Sequence, residues 1–291
     1  MRIGLAGLGL MGYRIAANLA KAGKLNMVYN RTVGKAEQFH KEYGVKYAED
    51  PKSLIQSVDF LITMLSDDEA VKSFITPLLP YVKDKIIVDM STISPSTSIS
   101  ISNEVSKHGG IMFDTPVIGT TIAVEQKKIT VLVGGPKEKF NIVQDVLKET
   151  AANIIYVGKN GSALYTKIAN NLLTGIYMTA LAEAFTFGVR SGLDPEEIKT
   201  ILSQYASVKS PFMELKLPKV ISGDYSTQFA TKHMAKDLEI AVRESQNLKV
   251  ITPLTSISLQ LYRLADGLGY GDSDFSSVVE VYKKSPKSKS D

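Results

Sequence analysis

The feature that most constrains the fold is a glycine pattern close to the N-terminus. A G-x-G-x-x-G motif lies between an apolar run at 2–6 and a helical pattern that ends at Gly23. Its residues are Gly7, Leu8, Gly9, Leu10, Met11 and Gly12. In a strand–turn–helix context the first glycine permits a tight turn, the second lets the backbone approach a pyrophosphate, and the third lets helix and strand pack closely. This context favours a dinucleotide-binding turn over an ordinary glycine-rich turn.

The rest of the chain divides into a β/α part and a helical part. Apolar runs that alternate with helical patterns predict strands at 25–29, 59–65, 85–90, 111–114, 130–133 and 154–157. Such alternation predicts a parallel sheet covered on both faces. From Ser162 onward the patterns predict helices at 162–190, 194–204, 211–221, 230–247 and 252–268. We therefore predict an α/β Rossmann-type doubly wound sheet followed by an all-α C-terminal domain.

The length of 291 residues exceeds what one hydrophobic core usually organises. We place a dinucleotide-binding Rossmann domain at 1–161. An all-α domain for substrate binding and oligomerisation follows at 162–282, and it begins with a long interdomain helix capped by Ser162. Residues 283–291, rich in lysine and serine, are predicted to be a disordered tail.

Composition excludes several classes of protein. The chain has no cysteine, which rules out disulfides, thiolate nucleophiles and cysteine zinc sites, and His40, His108 and His233 are too scattered to predict a metal site. Much of the net charge of +4 comes from the lysine tail, so we expect no nucleic-acid partner. We also expect no membrane span, because no uninterrupted apolar stretch reaches about 18 residues, and no signal peptide. The predicted location is the cytoplasm.

The end of the second predicted strand bears on the choice between NAD and NADP. An acidic residue there would grip the ribose 2′-hydroxyl of NAD, but the sequence reads Asn30-Arg31-Thr32. Arg31 offers a planar fork suited to a 2′-phosphate, and Asn30 and Thr32 add donors. We therefore predict that NADP is preferred and that NAD is possible. The alternative is that Arg31 is only a solvated residue at a strand end.

The first helix of the C-terminal half carries a polar face in an otherwise apolar sequence. Lys167, Asn170, Asn171 and Thr174 have the spacing i, i+3, i+4 and i+7, which puts them on one face. One interpretation is the wet side of an amphipathic helix with a snorkelling lysine. The other is a functional lysine, because a domain junction beside a nicotinamide is where substrates bind, and an amine there can exchange a proton with a hydroxyl or carbonyl oxygen.

Here the chain resembles the β-hydroxyacid dehydrogenase family, relatives of 6-phosphogluconate dehydrogenase. The matching motifs run in order to about residue 270: GLGLMG at 7–12, NRT at 30–32, MLSDDEAV at 64–71, MSTISP at 90–95, DTPVIG at 114–119, GKNGSALYTKIANN at 158–171 and FATKHMAKDLEIA at 229–241. The resemblance implies that Lys167 is the catalytic acid/base and that Asn171 holds the substrate, with Asn170 assisting. It also implies that Leu65, Ser66 and Thr92 line the cofactor, with Lys236 near the nicotinamide. Phe229 and Asp237 match active-site positions of the glyoxylate/succinic semialdehyde reductase branch.

One segment departs from the family pattern. Where the family usually has Ser-Gly-Gly to grip a substrate carboxylate, this chain has Ile118, Gly119 and Thr120. The serine hydroxyl is missing, and Thr120 or Thr121 could supply one from a displaced position. We assign 118–120 to substrate binding and expect an altered pocket.

These observations predict an NADP-dependent oxidoreductase that acts on a small β-hydroxyacid or aldehyde acid, of the 3-hydroxyisobutyrate, tartronate semialdehyde, succinic semialdehyde or glyoxylate type. The alternatives are an imine or other carbonyl reductase on the same scaffold and a catalytically silent dinucleotide-binding module. Besides the small-molecule substrate, the expected partner is another copy of the chain, in a homodimer or homotetramer.

Overall fold

The computed structural model describes residues 1–284; residues 285–291, which make up most of the predicted tail, lie outside the described residues. Contacts divide the chain into two compact units, Met1–Lys167 and the remainder from Ile168. This division falls inside the helix that begins at Ser162, whereas the sequence placed the boundary just before that helix. Two residues of the predicted tail are described: Lys283 ends a short helix, and Lys284 follows it.

The first unit contains a sheet whose strands match most of the predicted runs. The nine strands are β1 Ile3–Ala6, β2 Leu25–Tyr29, β3 Lys46–Tyr47, β4 Phe60–Thr63, β5 Ile86–Asp89, β6 Ile111–Asp114, β7 Val117–Ile118, β8 Ile129–Gly134 and β9 Ala151–Gly158. The two-residue strands β3 and β7 were not predicted, since they are too short to show a pattern. The order β3-β2-β1-β4-β5-β6-β8-β7, with β9 beside β8, contains the doubly wound arrangement 3-2-1-4-5-6.

The sheet is parallel, as predicted, except at one end. Strands β1 to β6 are all parallel to one another, but β8 is antiparallel to both β6 and β7. Strand β9 is parallel to β8. The link from β7 to β8, residues 119–128, is ten residues long, which is shorter than the dozen or more residues that a crossover to a parallel strand needs.

Both faces of this sheet are covered, as its apolar strands predicted. Alternate residues of one strand enter different cores: Phe60 and Ile62 of β4 lie in one cluster and Leu61 in the other. This is the period of two that strand geometry imposes. The covering helices are α1 Leu10–Lys21, α2 Val33–Tyr43, α3 Pro51–Ser57, α4 Asp68–Ile75, α5 Pro95–Lys107, α6 Thr121–Glu125 and α7 Phe140–Leu147.

From Ser162 to Lys284 the described residues form helices and the loops between them, as predicted. This part contains α8 Ser162–Arg190, α9 Pro195–Thr200, α10 Pro211–Ser222, α11 Thr231–Leu248, α12 Pro253–Ala265 and α13 Val279–Lys283. Helices α9 and α12 each continue into a π-helical turn, at Ile201–Tyr205 and Asp266–Tyr270. The structure also has a 3-10 turn at Phe275–Val278 before α13, a region for which the sequence predicted no helix.

Helix α8 is long and apolar enough, by length and composition, to cross a membrane, a test that core helices of soluble proteins also pass. Its second half supplies Met178, Leu181 and Phe185 to the apolar core of the second unit, where they pack with residues of α10, α11 and α12. Its first half carries the polar face of Lys167, Asn170 and Asn171. These contacts are those of a core helix of a helical domain.

Two acidic side chains end neighbouring strands and are completely buried. Asp89 ends β5, Asp114 ends β6, and the two are partners in the strand register. Asp89 Oδ1 accepts hydrogen bonds from Thr63 Oγ1 (2.7 Å) and Ser91 Oγ (2.6 Å), while its Oδ2 accepts none within the described residues. Burial, reinforced by repulsion from Asp114, raises the pKa of Asp89 to about 6 despite these hydrogen bonds.

The raised pKa of Asp89 predicts a pH-dependent stability. The folded carboxyl keeps its proton to a higher pH than the unfolded one, so its stabilising contribution is present below about pH 4 and is lost as the pH rises through 6. Asp89→Asn cannot ionise. Its free energy of unfolding, relative to wild type, should therefore rise by about 2–3 kcal/mol between pH 4 and pH 8, measured by urea denaturation. A difference that does not change with pH would contradict the assignment.

Candidate active site

The glycine turn after β1 shows why glycine occupies two of its positions. Gly7 has φ +102° and donates its N–H to Tyr29 O at 2.9 Å. A Cβ on Gly7 would overlap Met64 O, and a Cβ on Gly12 would overlap Gly7 O. The turn and the close packing of helix on strand therefore both require glycine, as the motif predicted.

The second glycine has a different environment. A Cβ on Gly9 would meet nothing within 4 Å, so the chain itself does not demand glycine there. Gly9 is the N-cap residue of α1, and no side chain caps this helix. Open space beside the amide groups of a helix N-terminus fits the pyrophosphate of a dinucleotide. Around it, Leu8 is buried, Leu10 is exposed and Met11 is half-buried.

At the end of β2, Asn30 and Arg31 have different environments. Asn30 Oδ1 accepts the N–H of Leu8 (2.9 Å), and its Nδ2 donates to Thr32 O (3.0 Å). Asn30 therefore ties the glycine turn to the end of β2, a role that the sequence did not predict. Arg31 is exposed, and Thr32 is the exposed N-cap residue of α2. Arg31 is thus an exposed residue just after β2, the strand that pairs with β1.

The segments after β4 and β5 are joined at the same edge of the sheet. Leu65 N donates to Ser91 Oγ at 2.8 Å, and Ser91 Oγ in turn donates to Asp89. Ser66 follows, exposed, with its hydroxyl on Asp67 Oδ2 (2.7 Å), and Thr92 is half-buried. The predicted cofactor residues Leu65 and Thr92 are therefore connected through Ser91, which the sequence analysis did not single out.

The departure at 118–120 has a structural consequence. Half-buried Ile118 ends β7, and Gly119 has φ +143°, where a Cβ would lie 2.7 Å from Ile129 Cγ2. Thr120 is the N-cap residue of α6, and its Oγ1 accepts the N–H of Ala123 at 3.3 Å. A hydroxyl that accepts one bond still has its own hydrogen to donate. The Thr120 hydroxyl can therefore still donate a hydrogen bond, as the missing serine hydroxyl would.

Lys167 lies in the second turn of α8 with 8% of its surface exposed. The start of this helix is bound by Asp114, whose Oδ1 accepts Gly161 N at 2.8 Å and whose Oδ2 accepts Leu164 N at 3.0 Å. Ser162, the predicted cap, is instead the first helical residue. Sequence reasoning missed Asp114 as the cap because it lies about 50 residues earlier in the chain.

In the second unit a chain of hydrogen bonds orients Asn171. Asn170 Nδ2 donates to Asn171 Oδ1 at 3.0 Å, and Asn171 Nδ2 donates to Asp237 Oδ2 at 2.5 Å. Asn171 is 4% exposed and Asp237 is 2% exposed. Lys236 Nζ lies 3.3 Å from the other oxygen of Asp237, an ion pair without hydrogen-bond geometry. The four residues that the resemblance implied therefore form one cluster between α8 and α11.

Phe229, just before α11, is held by a pair of buried charges that the sequence did not predict. Its N–H donates to Asp274 Oδ2 at 3.3 Å, and its ring lies 6.0 Å from those of Phe275 and His233. Lys216 Nζ binds Asp274 Oδ1 at 2.8 Å. Burial acts to raise the pKa of Asp274, but the attraction and hydrogen bond from Lys216 outweigh it and lower the pKa. Lys216 lies in the predicted helix at 211–221 and Asp274 lies outside every predicted helix, so the sequence gave no signal of this pair.

Taken unit by unit, most of the predicted residues gather into two groups, and Lys167 lies on α8 at the end of the first unit. The glycine turn, 30–32, 65–66, Thr92 and 118–120 follow strand ends in the first unit, and most of them share the carboxyl edge of the parallel strands. Asn170, Asn171, Lys236 and Asp237 cluster in the second unit. Within residues 1–284, no group of three or more acidic or histidine side chains is arranged to hold a metal ion.

Comparisons with known proteins match both parts of the chain. Residues 2–158 match a family described as the NAD binding domain of 6-phosphogluconate dehydrogenase, and residues 161–282 match the NAD-binding family of NADP-dependent 3-hydroxyisobutyrate dehydrogenase. The mitochondrial 3-hydroxyisobutyrate dehydrogenase of Mus musculus is 35% identical over 97% of this chain and 87% of its own length.

A second curated relative and a solved structure agree. The chloroplastic glyoxylate/succinic semialdehyde reductase 2 of Arabidopsis thaliana is 30% identical over 97% of this chain and 79% of its own. The structure of Mycobacterium tuberculosis 3-hydroxyisobutyrate dehydrogenase with L-serine superposes with a TM-score of 0.89 at 25% identity, covering 97% of this chain and 100% of that one. The chain therefore belongs to the β-hydroxyacid dehydrogenase family and is an NAD(P)-dependent oxidoreductase of the kind that acts on CH–OH groups.

Proposed function

We propose that this protein reversibly transfers hydride between NADP and a small β-hydroxyacid or aldehyde acid, with Lys167 as general acid/base. The observation that carries the proposal is a buried lysine followed, one helical turn later, by a buried asparagine whose amide is held in a fixed orientation. Burying a lysine costs free energy, and such sites are frequently functional. The substrates named for the relatives, 3-hydroxyisobutyrate, glyoxylate and succinic semialdehyde, are the first candidates.

Lys167 handles the proton of the reaction. When bound, the nicotinamide cofactor supplies or accepts the hydride. In reduction the ammonium of Lys167 donates a proton to the carbonyl oxygen, and in oxidation the neutral amine takes the proton of the hydroxyl. Only 8% of the surface of Lys167 is exposed, and this restricts the access of water that would compete for the proton.

Asn171 is assigned to hold the reacting oxygen. Its amide nitrogen has two hydrogens, and one of them is used by Asp237. Because Asn170 donates to its oxygen, the orientation of the amide is fixed and the second N–H has a defined direction. A positioned donor of this kind holds the substrate oxygen for attack without reorganisation during the reaction.

The cofactor is assigned to the glycine turn and its neighbours. Gly9 offers space at the N-terminus of α1, and Arg31 is the exposed cation at the end of β2. The name of the family that matches 161–282 includes NADP dependence, which supports the preference for NADP. Leu65, Ser66 and Thr92 complete the proposed cofactor site of the first unit, and Lys236 is assigned to the cofactor by the family resemblance alone.

Self-association and location are also proposals. Leu173, Phe187, Tyr205 and Val208 of the helical unit are all more than half exposed in the single chain, which supports burial against another copy. The two curated relatives are named as mitochondrial and chloroplastic proteins. For this chain a cytoplasmic location stays a prediction.

A substrate panel tests the proposed activity and separates it from an imine reductase. Small aldehyde acids and cyclic imines are assayed with NADPH and with NADH, and the hydroxyacid products are assayed with NADP⁺ and with NAD⁺, by following the absorbance of the reduced nicotinamide. We expect turnover of at least one aldehyde acid and none of the imines, because Lys167 suits proton exchange with oxygen. Turnover of imines alone would favour the second reductase, and no turnover with stoichiometric NADPH binding would favour a silent module.

Lys167→Met tests the proton transfer itself. It removes the amine and keeps much of the apolar stem, so kcat should fall by about 10²- to 10⁴-fold while the Kd for NADPH is unchanged. The exposed Lys209 provides a matched control, and Lys209→Met should keep the wild-type kcat. Near-normal turnover by Lys167→Met would end the assignment.

Arg31→Ala tests the preference for NADP. The ratio of kcat/KM with NADPH to kcat/KM with NADH should fall by roughly tenfold or more, because a charge-assisted contact to the 2′-phosphate is lost. Lys41→Ala removes one exposed charge from the far end of α2 and should leave the ratio as it was. The same change in both variants would point to a general effect of charge.

A further inference from the structure

Asp114 binds the start of the helix that carries Lys167. An α-helix leaves its first amide groups without partners inside the helix. In α8, the carboxylate of Asp114 accepts the N–H of Gly161 at 2.8 Å and the N–H of Leu164 at 3.0 Å, and it is itself fully buried. Both of its oxygens are therefore used on the first turn of α8. The start of the helix is fixed by a side chain of the sheet.

The surroundings of Asp114 are shaped for this carboxylate. A Cβ on Gly134, its partner on β8, would lie 2.5 Å from Asp114 Oδ1 and 2.9 Å from Oδ2. Asn160 adds a second tie, since its Nδ2 donates to Met112 O on the same strand β6 at 2.7 Å. Two side chains thus hold the segment before Lys167 to the end of β6.

The position of Lys167 makes it sensitive to this arrangement. It lies three residues after Leu164, on the same side of the helix, and helical side chains lean toward the N-terminus. The partial positive charge of a helix N-terminus disfavours an ammonium nearby, and a carboxylate at that end compensates it. Asp114 therefore bears on both the place of the amine and its affinity for a proton.

Asp89, the buried carboxylate next to Asp114, does not bind α8 but contacts a different segment. Asp89, on β5, is the charged group that faces Asp114 from the adjacent strand; β8 presents Gly134, and α8 presents amide groups. Asp89 acts through Ser91 on Leu65 N, in the segment assigned to the cofactor. The two buried carboxylates therefore hold two different parts of the proposed site.

We propose that Asp114 is a positioning residue for Lys167, fixing the first turn of α8 so that the amine is correctly placed and keeps its proton affinity. This inference rests on the proposed role of Lys167 as acid/base. Asp89 serves as the matched comparison, because it carries the same charge one strand away and is tied to the cofactor segment instead.

The test compares Asp114→Asn with Asp89→Asn in the full-length protein. For Asp114→Asn we expect kcat to fall by about tenfold or more, with the Kd for NADPH unchanged. The pH midpoint of kcat in the oxidation direction should move down by about half a unit or more, because the compensating charge is lost. For Asp89→Asn we expect weaker NADPH binding and a pH midpoint close to that of wild type.

Amide hydrogen exchange gives a readout that needs no activity. In Asp114→Asn the exchange at residues 161–167 should be about tenfold faster, while the second half of α8 keeps its wild-type rate. If Asp114→Asn fails to fold, Gly134→Ala displaces the carboxylate while keeping its charge, and it should give the same faster exchange and a lower kcat. A wild-type kcat and exchange rate in whichever variant folds would overturn the proposal.

A double variant separates this inference from the proposed function. If Asp114 acts through Lys167, adding Asp114→Asn to Lys167→Met should lower kcat no further. Additive losses would overturn the positioning role while leaving the function intact. High turnover by Lys167→Met alone would overturn the proposed function, whatever Asp114→Asn does to hydrogen exchange.

Discussion

The contact on which the arrangement depends is the acceptance of two backbone amides of the longest helix by a buried carboxylate. Asp114 ends a strand of the sheet, and Gly161 and Leu164 open α8, so the contact fixes where the helix starts. It is a costly contact, since burial raises the pKa of Asp114 to about 6 in spite of the hydrogen bonds it accepts. The free-energy cost of burying this carboxylate is offset by a contact that holds α8, and α8 carries Lys167.

The same edge of the sheet organises the cofactor side. Parallel strands end together, so the glycine turn, the end of β2 and the segments after β4 and β5 come to one edge without further design. Side chains then join them pairwise: Asn30 binds Leu8, and Ser91 binds Leu65. The backbone brings the segments near one another, and these polar side chains set their conformations.

Much of the fold could be predicted from the sequence, because its signals are local. Short sequence windows are enough to predict the glycine turn, the apolar strands and the long helix α8. The bounds of α8 agree with the prediction. The direction of β8 could not be predicted, because an apolar run has the same pattern whichever way the strand points. The two-residue strand β7 is too short to show a pattern, and the sequence analysis found no helical pattern from residue 275 onward.

In the candidate site, too, local patterns could be predicted from the sequence and contacts between distant residues could not. The spacing of Lys167, Asn170 and Asn171 on one helix face is local and was visible in the sequence. The bonds from Asp114 to α8, from Asn171 to Asp237 and from Lys216 to Asp274 join residues far apart in the chain, so no spacing rule reveals them. The family resemblance pointed to Asp237, but only the structure shows its hydrogen bond with Asn171. The structure alone also shows the buried Asp274 and the capping role of Asp114.

The most direct measurement is a crystal structure with NADP⁺ and a substrate analogue bound. The account predicts that Lys167 Nζ lies within hydrogen-bond distance, about 3 Å, of the reacting oxygen, and that this oxygen's carbon faces C4 of the nicotinamide. A Lys167 side chain that points into bulk solvent, away from the nicotinamide ring, would contradict it.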